Sequence, residues 1–239
     1  MKQVNHKIMN AVIEKAEKGC PDSLAFIGIY GSAATGDEYE KSDLDLLILI
    51  QDDAGWQLGT GFILDDSKVG YDIYCTNWDG LRYDAACHHA QISKLMDSKI
   101  VYIKNQEAYD ELCKLREQTK RFLASEERFQ RVNELVDKAK ISYANAYLHE
   151  ELGQVRLDAF GVMCFLMDAI MLFHGRYFKR STKRMLEELA VLPIEAGFVD
   201  NLKGIASSKD VLELRALSKS LQKAFPVLTK KCIQTGETR

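Results

Sequence analysis

Apolar positions recur along the chain in two rhythms, and the rhythm changes near residue 120. In the first half, Val4, Ile8, Val12 and Ala16 fall in one row with Met9 and Ile13 beside it, which predicts a helix over 2–18 closed by Gly19. Two short runs, LAFIGIY (24–30) and LDLLILI (44–50), are rich in strand formers. VGYDIYC (69–75) alternates: Val69, Tyr71, Ile73 and Cys75 share one face, and Gly70, Asp72 and Tyr74 the other. A helical stretch (79–96), a short strand KIVYIK (99–104) and a further helix (106–123) follow.

From Ser125 onward the rhythm is helical throughout. Phe129, Val132, Val136, Ala139, Tyr143, Ala146 and Tyr147 line one face of a long helix. LDAFGVMCFLMDAIMLFHG (157–175) is apolar nearly all round, as the central helix of a bundle must be. TKRMLEELAVL stops at Pro193, a segment opening at Ser207 and Ser208 stacks Leu214, Leu217 and Leu221, and the tail after Thr229 reads as frayed. The pattern predicts an α+β protein. An N-terminal domain (1–122) with a mixed β-sheet and flanking helices precedes a C-terminal helical bundle (123–239).

Against this scaffold one stretch carries chemistry, YGSAATGDEYEKSDLDLLIL (30–49). Gly31-Ser32 directly follows a strand, where a glycine lets backbone approach a ligand and exposed amides with the Ser32 hydroxyl can cradle phosphate oxygens. Gly31 and Gly36 have the gap of a P-loop, but Asp37-Glu38 stands where that motif needs its lysine, so a P-loop is rejected. Asp43 and Asp45 leave the same face of an extended chain, roughly 6–7 Å apart. Two carboxylates that close repel one another, and a divalent cation with its preference for oxygen reverses that cost. Asp72 becomes the third ligand if its strand lies beside that of Asp45. The bland reading, an acidic loop running into a strand, leaves the Gly-Ser turn and Asp72 as coincidences.

The pattern GS-x10-DLDLLI, with YDIY further on, resembles the signature of the polymerase-β-like nucleotidyltransferase superfamily, over residues 24–75. The helical half, with HGRYFKRSTKRMLEEL, looks more loosely like the bundle of the kanamycin and lincosamide nucleotidyltransferases. The resemblance implies magnesium-dependent transfer of a nucleoside monophosphate, most simply AMP, from a triphosphate to a hydroxyl of a small molecule such as an aminoglycoside or lincosamide, with release of pyrophosphate. It implies that Gly31 and Ser32 hold the β- and γ-phosphates and that Asp43, Asp45 and Asp72 are the catalytic carboxylates holding two Mg2+. Ser42 joins the nucleotide-binding candidates. So do Arg180 and Lys183, since Arg176, Arg180 and Arg184 with Lys179 and Lys183 would make one helical face strongly basic. A solvated face, or pairing with Glu187 and Glu188, is the competing reading. The general base is open between Asp72, Asp168, Glu150 and Glu151, with Asp168 interrupting an otherwise apolar helix. Tyr39, Tyr71 and Tyr74 either flank the site or belong to the core. Adjacent His88 and His89 diverge by about 100° on a helix, which disfavours zinc.

Composition narrows the partners. The net charge of −3 gives no general attraction for nucleic acid, and residues 1–119, with 12 Lys/Arg against 20 Asp/Glu, are net −8, which disfavours a polyanion near the motif. Residues 120–239, with 20 against 15, are net +5. Six scattered cysteines without paired spacing read as free thiols. No apolar run reaches membrane length and the N-terminus has no signal-peptide core, so a cytoplasmic enzyme is expected. Three rival readings stay open: AMP transfer to a protein tyrosine, as in antitoxin-type enzymes; a non-catalytic nucleotide-binding module whose bundle recruits a partner or a second copy; and a nucleotide-sugar transferase, which leaves Gly31-Ser32 without a role.

Overall fold

The computed structural model describes residues 3–36, 38, 42–59, 62–64, 69–87, 92–177 and 182–229. It comprises two compact units, Met1–Thr119 and Lys120–Arg239. The first contains α1 (Gln3–Gly19), β1 (Leu24–Tyr30), α2 (Gly31–Thr35), β2 (Leu44–Ile50), a 3-10 turn (Asp53–Leu58), β3 (Phe62–Leu64), β4 (Val69–Thr76), α3 (Trp78–Cys87), α4 (Ile92–Asp97), β5 (Lys99–Ile103) and most of α5 (Gln106–Ala124). The strands form one mixed sheet in the order β3-β4-β2-β1-β5, in which β2 and β4 run parallel and every other pair antiparallel.

The strand β2 lies at the centre of that sheet and every one of its residues is buried, which explains its unbroken apolar run. Leu44, Leu46, Ile48 and Ile50 pack with Ile8, Val12 and Ala16 of α1. Leu47 and Leu49 face the other way, onto Leu81 and Ala85 of α3, Leu95 of α4, and Ala108 and Leu112 of α5. The sheet is thus covered on both faces, and Asp45 is the sole polar residue within β2. The predicted helix over 79–96 is two helices, α3 and α4; residues 88–91 between them, with His88 and His89, lie outside the described residues.

The second unit is helical: α6 (Arg128–Leu148), α7 (Leu152–Phe173), α8 (Thr182–Ala190), α9 (Phe198–Ser207) and α10 (Val211–Leu221). Its core takes Val132, Leu135, Val136 and Ala139 from α6, Leu189 from α8, Leu202 from α9, and Leu214 and Leu221 from α10. Residues 166–172 of α7 are buried without interruption, which accounts for an apolar sequence with no polar stripe.

One sequence expectation fails here. Arg176 and Arg184 do not share a helical face, because α7 ends at Phe173 and α8 begins only at Thr182. Gly175 ends α7 with φ +69, its N–H donating to Leu172 O at 2.9 Å while the Arg176 N–H donates to Met171 O at 2.8 Å. This is a Schellman closure, which needs a left-handed residue after the last helical turn. Arg176 then pairs with Glu188, in line with the competing reading of the basic stretch.

Candidate functional site

The motif residues meet at one end of the sheet's α3/α4 face. In the β1–β2 register Tyr30 lies opposite Asp45, and in the β2–β4 register Asp45 lies opposite Asp72. Neighbouring strands are about 4.8 Å apart, so the two aspartates are adjacent positions on one face. Asp43, two residues ahead of Asp45, shares its side by alternation and is exposed. Asp45 is 8% exposed, a burial that a carboxylate tolerates only with compensation.

The chain turns directly from β1 into α2 at Gly31, with φ +64. A Cβ there would stand 2.0 Å from Asp45 Oδ2 and 2.9 Å from Asp45 Cγ. Glycine is therefore required twice, for the left-handed backbone and for the space that the carboxylate fills. Thr35 Oγ1 donates to Gly31 O at 3.1 Å, and Gly36 (φ +84) closes the five-residue helix. Ser32 is half-buried at the start of this turn. Ser42 is 2% exposed, so its hydroxyl faces into the fold at the entry to β2 rather than an open cleft.

Alternation on β4 behaves as expected. Tyr71, Ile73 and Cys75 pack with the α1 core, and burial raises the Tyr71 phenol, so Tyr71 belongs to the core rather than to the site. Tyr74 points to the carboxylate side and donates to buried Asp84. Burial first, then that hydrogen bond, pushes its phenol well above the ordinary range. Tyr30, 1% exposed, donates to Asp72 Oδ2 at 3.3 Å. Tyr39 lies outside the described residues.

The residue that the sequence reading missed is Lys94. It is 6% exposed, with Nζ 3.5 Å from the centroid of the Tyr74 ring and 5.5 Å from that of Tyr30. The signal was there in ISKLMD, a lysine set between Ile92 and Leu95 on a short apolar helix, but a lone lysine in a helix is ordinarily a surface residue.

The donor set suits a hard divalent cation. Asp45 and Asp72 leave two neighbouring strands on one side, with Asp45 in a cradle kept open by Gly31 and Asp43 just ahead of β2. As the side chains stand, no group of three Asp, Glu, His or Cys side chains among the described residues is gathered closely enough to hold a metal. Asp45 and Asp72 would supply the fixed part of a magnesium site, and exposed Asp43 would complete it by turning toward them.

The bundle candidates are placed separately. Asp168 on α7 is 5% exposed and its Oδ1 makes no hydrogen bond among the described residues. Burial lifts its carboxyl to about 8, against the weaker opposing pull of Arg131 and Lys138. Its burial thus favours the neutral form of the carboxyl. Glu150 and Glu151 are exposed ahead of α7. Arg180 lies outside the described residues, and of Lys183 only the backbone position in α8 is described.

Cys20, Cys75, Cys113 and Cys164 are free thiols. Among the described residues no helix is long and apolar enough to cross a membrane. No protein-family model matches the sequence, and no curated protein matches it significantly. The chain is similar to the crystal structure of a nucleotidyltransferase-like protein from Exiguobacterium sibiricum 255-15, with a TM-score of 0.47 and 14% identity over 97% of this chain and 80% of that one. A likeness at that level carries no activity across.

Proposed function

We propose that this protein is a nucleotidyltransferase that moves a nucleoside monophosphate, most simply AMP, from a triphosphate to a hydroxyl of a small molecule. The observation that supports this most is the meeting of Gly31, Asp45 and Asp72, in which a left-handed glycine turn lies directly beside a carboxylate pair on adjacent strands. Neither half of that arrangement has use for the other in a merely structural role.

In this reading the backbone of the Gly31–Ser32 turn and the Ser32 hydroxyl hold the β- and γ-phosphates. Asp43, Asp45 and Asp72 would hold magnesium, which when bound offsets the charge of the triphosphate and of the departing pyrophosphate. The sheet keeps Asp45 and Asp72 in register, so the α-phosphorus is presented in one orientation and most of the catalysis is positioning. The acceptor oxygen attacks the α-phosphorus, the bond to the β-bridging oxygen breaks, and pyrophosphate leaves. Asp72 is our candidate for the group that takes the acceptor's proton, its second oxygen steadied by Tyr30.

The experiment supplies ATP labelled at the α-phosphate, magnesium, and a panel of aminoglycosides and lincosamides. Label is expected on one acceptor class with equimolar pyrophosphate. Asp45→Asn is expected to cut the rate more than about a hundredfold, as loss of a metal-holding group does. Transfer that survives Asp45→Asn would defeat the mechanism, and label on protein bands instead would move the acceptor to a protein side chain.

A further inference from the structure

Lys94 is the only lysine or arginine among the buried residues described, and it shares its side of the sheet with buried Asp45 and Asp84. An ammonium taken out of water is costly unless its surroundings repay it. Here they do. The charge rests 3.5 Å from the centre of the Tyr74 ring and within 5.5 Å of that of Tyr30, an arrangement that gains strength when desolvated. Each ring passes the contact on, Tyr74 donating to Asp84 and Tyr30 to Asp72.

The lysine is also held in place. Its helix α4 packs beside α2 and β1. The end of α4 is tied to α5, because Arg116 donates to Leu95 O at 2.9 Å and to Ser98 O at 2.6 Å. The result is a buried ammonium against the rings of Tyr74 and Tyr30, the second of which donates to Asp72, on a helix that packs beside the one opening at Gly31.

From this placement we infer that Lys94 couples metal binding to nucleotide binding, so that the carboxylates accept a divalent cation together with a triphosphate and hold a bare one poorly. A fixed cation repels an incoming metal ion and attracts a polyphosphate, and both effects are strong in a poorly solvated site. Lys94 is in these terms a positioning residue: it acts through Tyr30, Tyr74 and the local field rather than by touching the reacting atoms. The inference rests on the carboxylate site proposed above.

The test titrates Mn2+ into the full-length protein by electron paramagnetic resonance, with and without a non-hydrolysable ATP analogue. Wild type is expected to bind Mn2+ at least tenfold more tightly with the analogue than without it. Lys94→Met should bind Mn2+ alone at least tenfold more tightly than wild type, and the gain from the analogue should shrink to match. Lys94→Arg should keep the wild-type pattern. Circular dichroism checks the fold, and should the methionine variant not fold, Lys94→Gln carries the same expectation. A neutral variant with wild-type affinity and wild-type coupling overturns the role of Lys94 while leaving the carboxylate site intact. Wild type that binds no Mn2+ even with the analogue overturns the site and the inference together.

Discussion

A methyl group at residue 31 would enter the space of the Asp45 carboxylate, 2.0 Å from Oδ2, on a backbone already at φ +64. Gly31→Ala must therefore either shift the turn or rotate Asp45 away from Asp72. The left-handed backbone alone costs about 1 kcal/mol for an alanine, and displacing a buried carboxylate adds to it. We expect a loss of about 1–3 kcal/mol in unfolding free energy by urea titration, together with a fall of more than about a hundredfold in label transfer. A variant that kept its rate would show that the turn and the carboxylates do not work as one unit. That Gly31 and Asp45 are candidates was legible in sequence, because Gly-Ser after a strand and Asp-x-Asp before one are local patterns. That they touch was not, because contact depends on the antiparallel pairing of β1 with β2 across fourteen residues of intervening chain, as Tyr30↔Asp45 shows. Lys94 was harder to read for a stronger version of the same reason. Its meaning arises only from two tyrosines on two other strands.

Among the elements, α7 shows how far periodicity reads and where it stops. Apolarity on every side marked it as central, and residues 166–172 are indeed buried in succession. Its end was carried by a single residue, Gly175, and the basic positions beyond it were read as a helical face although the chain leaves the helix there. The helix also holds the buried acid Asp168, and that makes its stability depend on pH in a definite direction. An acid with a native pKa of about 8 and an unfolded value near 4 stays protonated in the folded chain across that interval while the unfolded chain has released its proton. The unfolded state then binds fewer protons, so stability falls as pH rises from about 4 through about 8, by at most about 1.4 kcal/mol per pH unit, and levels off above. Asp168→Asn imitates the neutral acid and removes this slope. Urea midpoints of the two proteins should agree near pH 4, draw apart from there to about pH 8, and stay apart above it, with the variant the more stable at pH 9. Parallel profiles would mean that Asp168 is ionised in the fold and compensated by Arg131 or Lys138.

For the molecule as a whole, charge is divided unevenly between the two units. The unit that contains the carboxylates is net −8, and the helical unit, which contains Arg180 and Lys183, is net +5. An anionic ligand bound by the first unit works against that unit's own charge, and magnesium is the counter-charge that offsets it. Hydrogen exchange on the full chain separates the two contributions. A magnesium–nucleotide analogue at a hundred times its dissociation constant stabilises what it binds by about 2.7 kcal/mol. Slower exchange is expected at the amides of residues 30–36, 43–47 and 70–76, while magnesium without the analogue leaves them nearly unchanged. If Arg180 and Lys183 take hold of the phosphates, the first turn of α8, beginning at Thr182, slows as well. If α8 exchanges at its ligand-free rate while the strands are protected, the nucleotide is held by the acidic unit alone. The opposite charges of the two halves then have no part in binding it, and the attraction that draws in the triphosphate falls to magnesium and to Lys94.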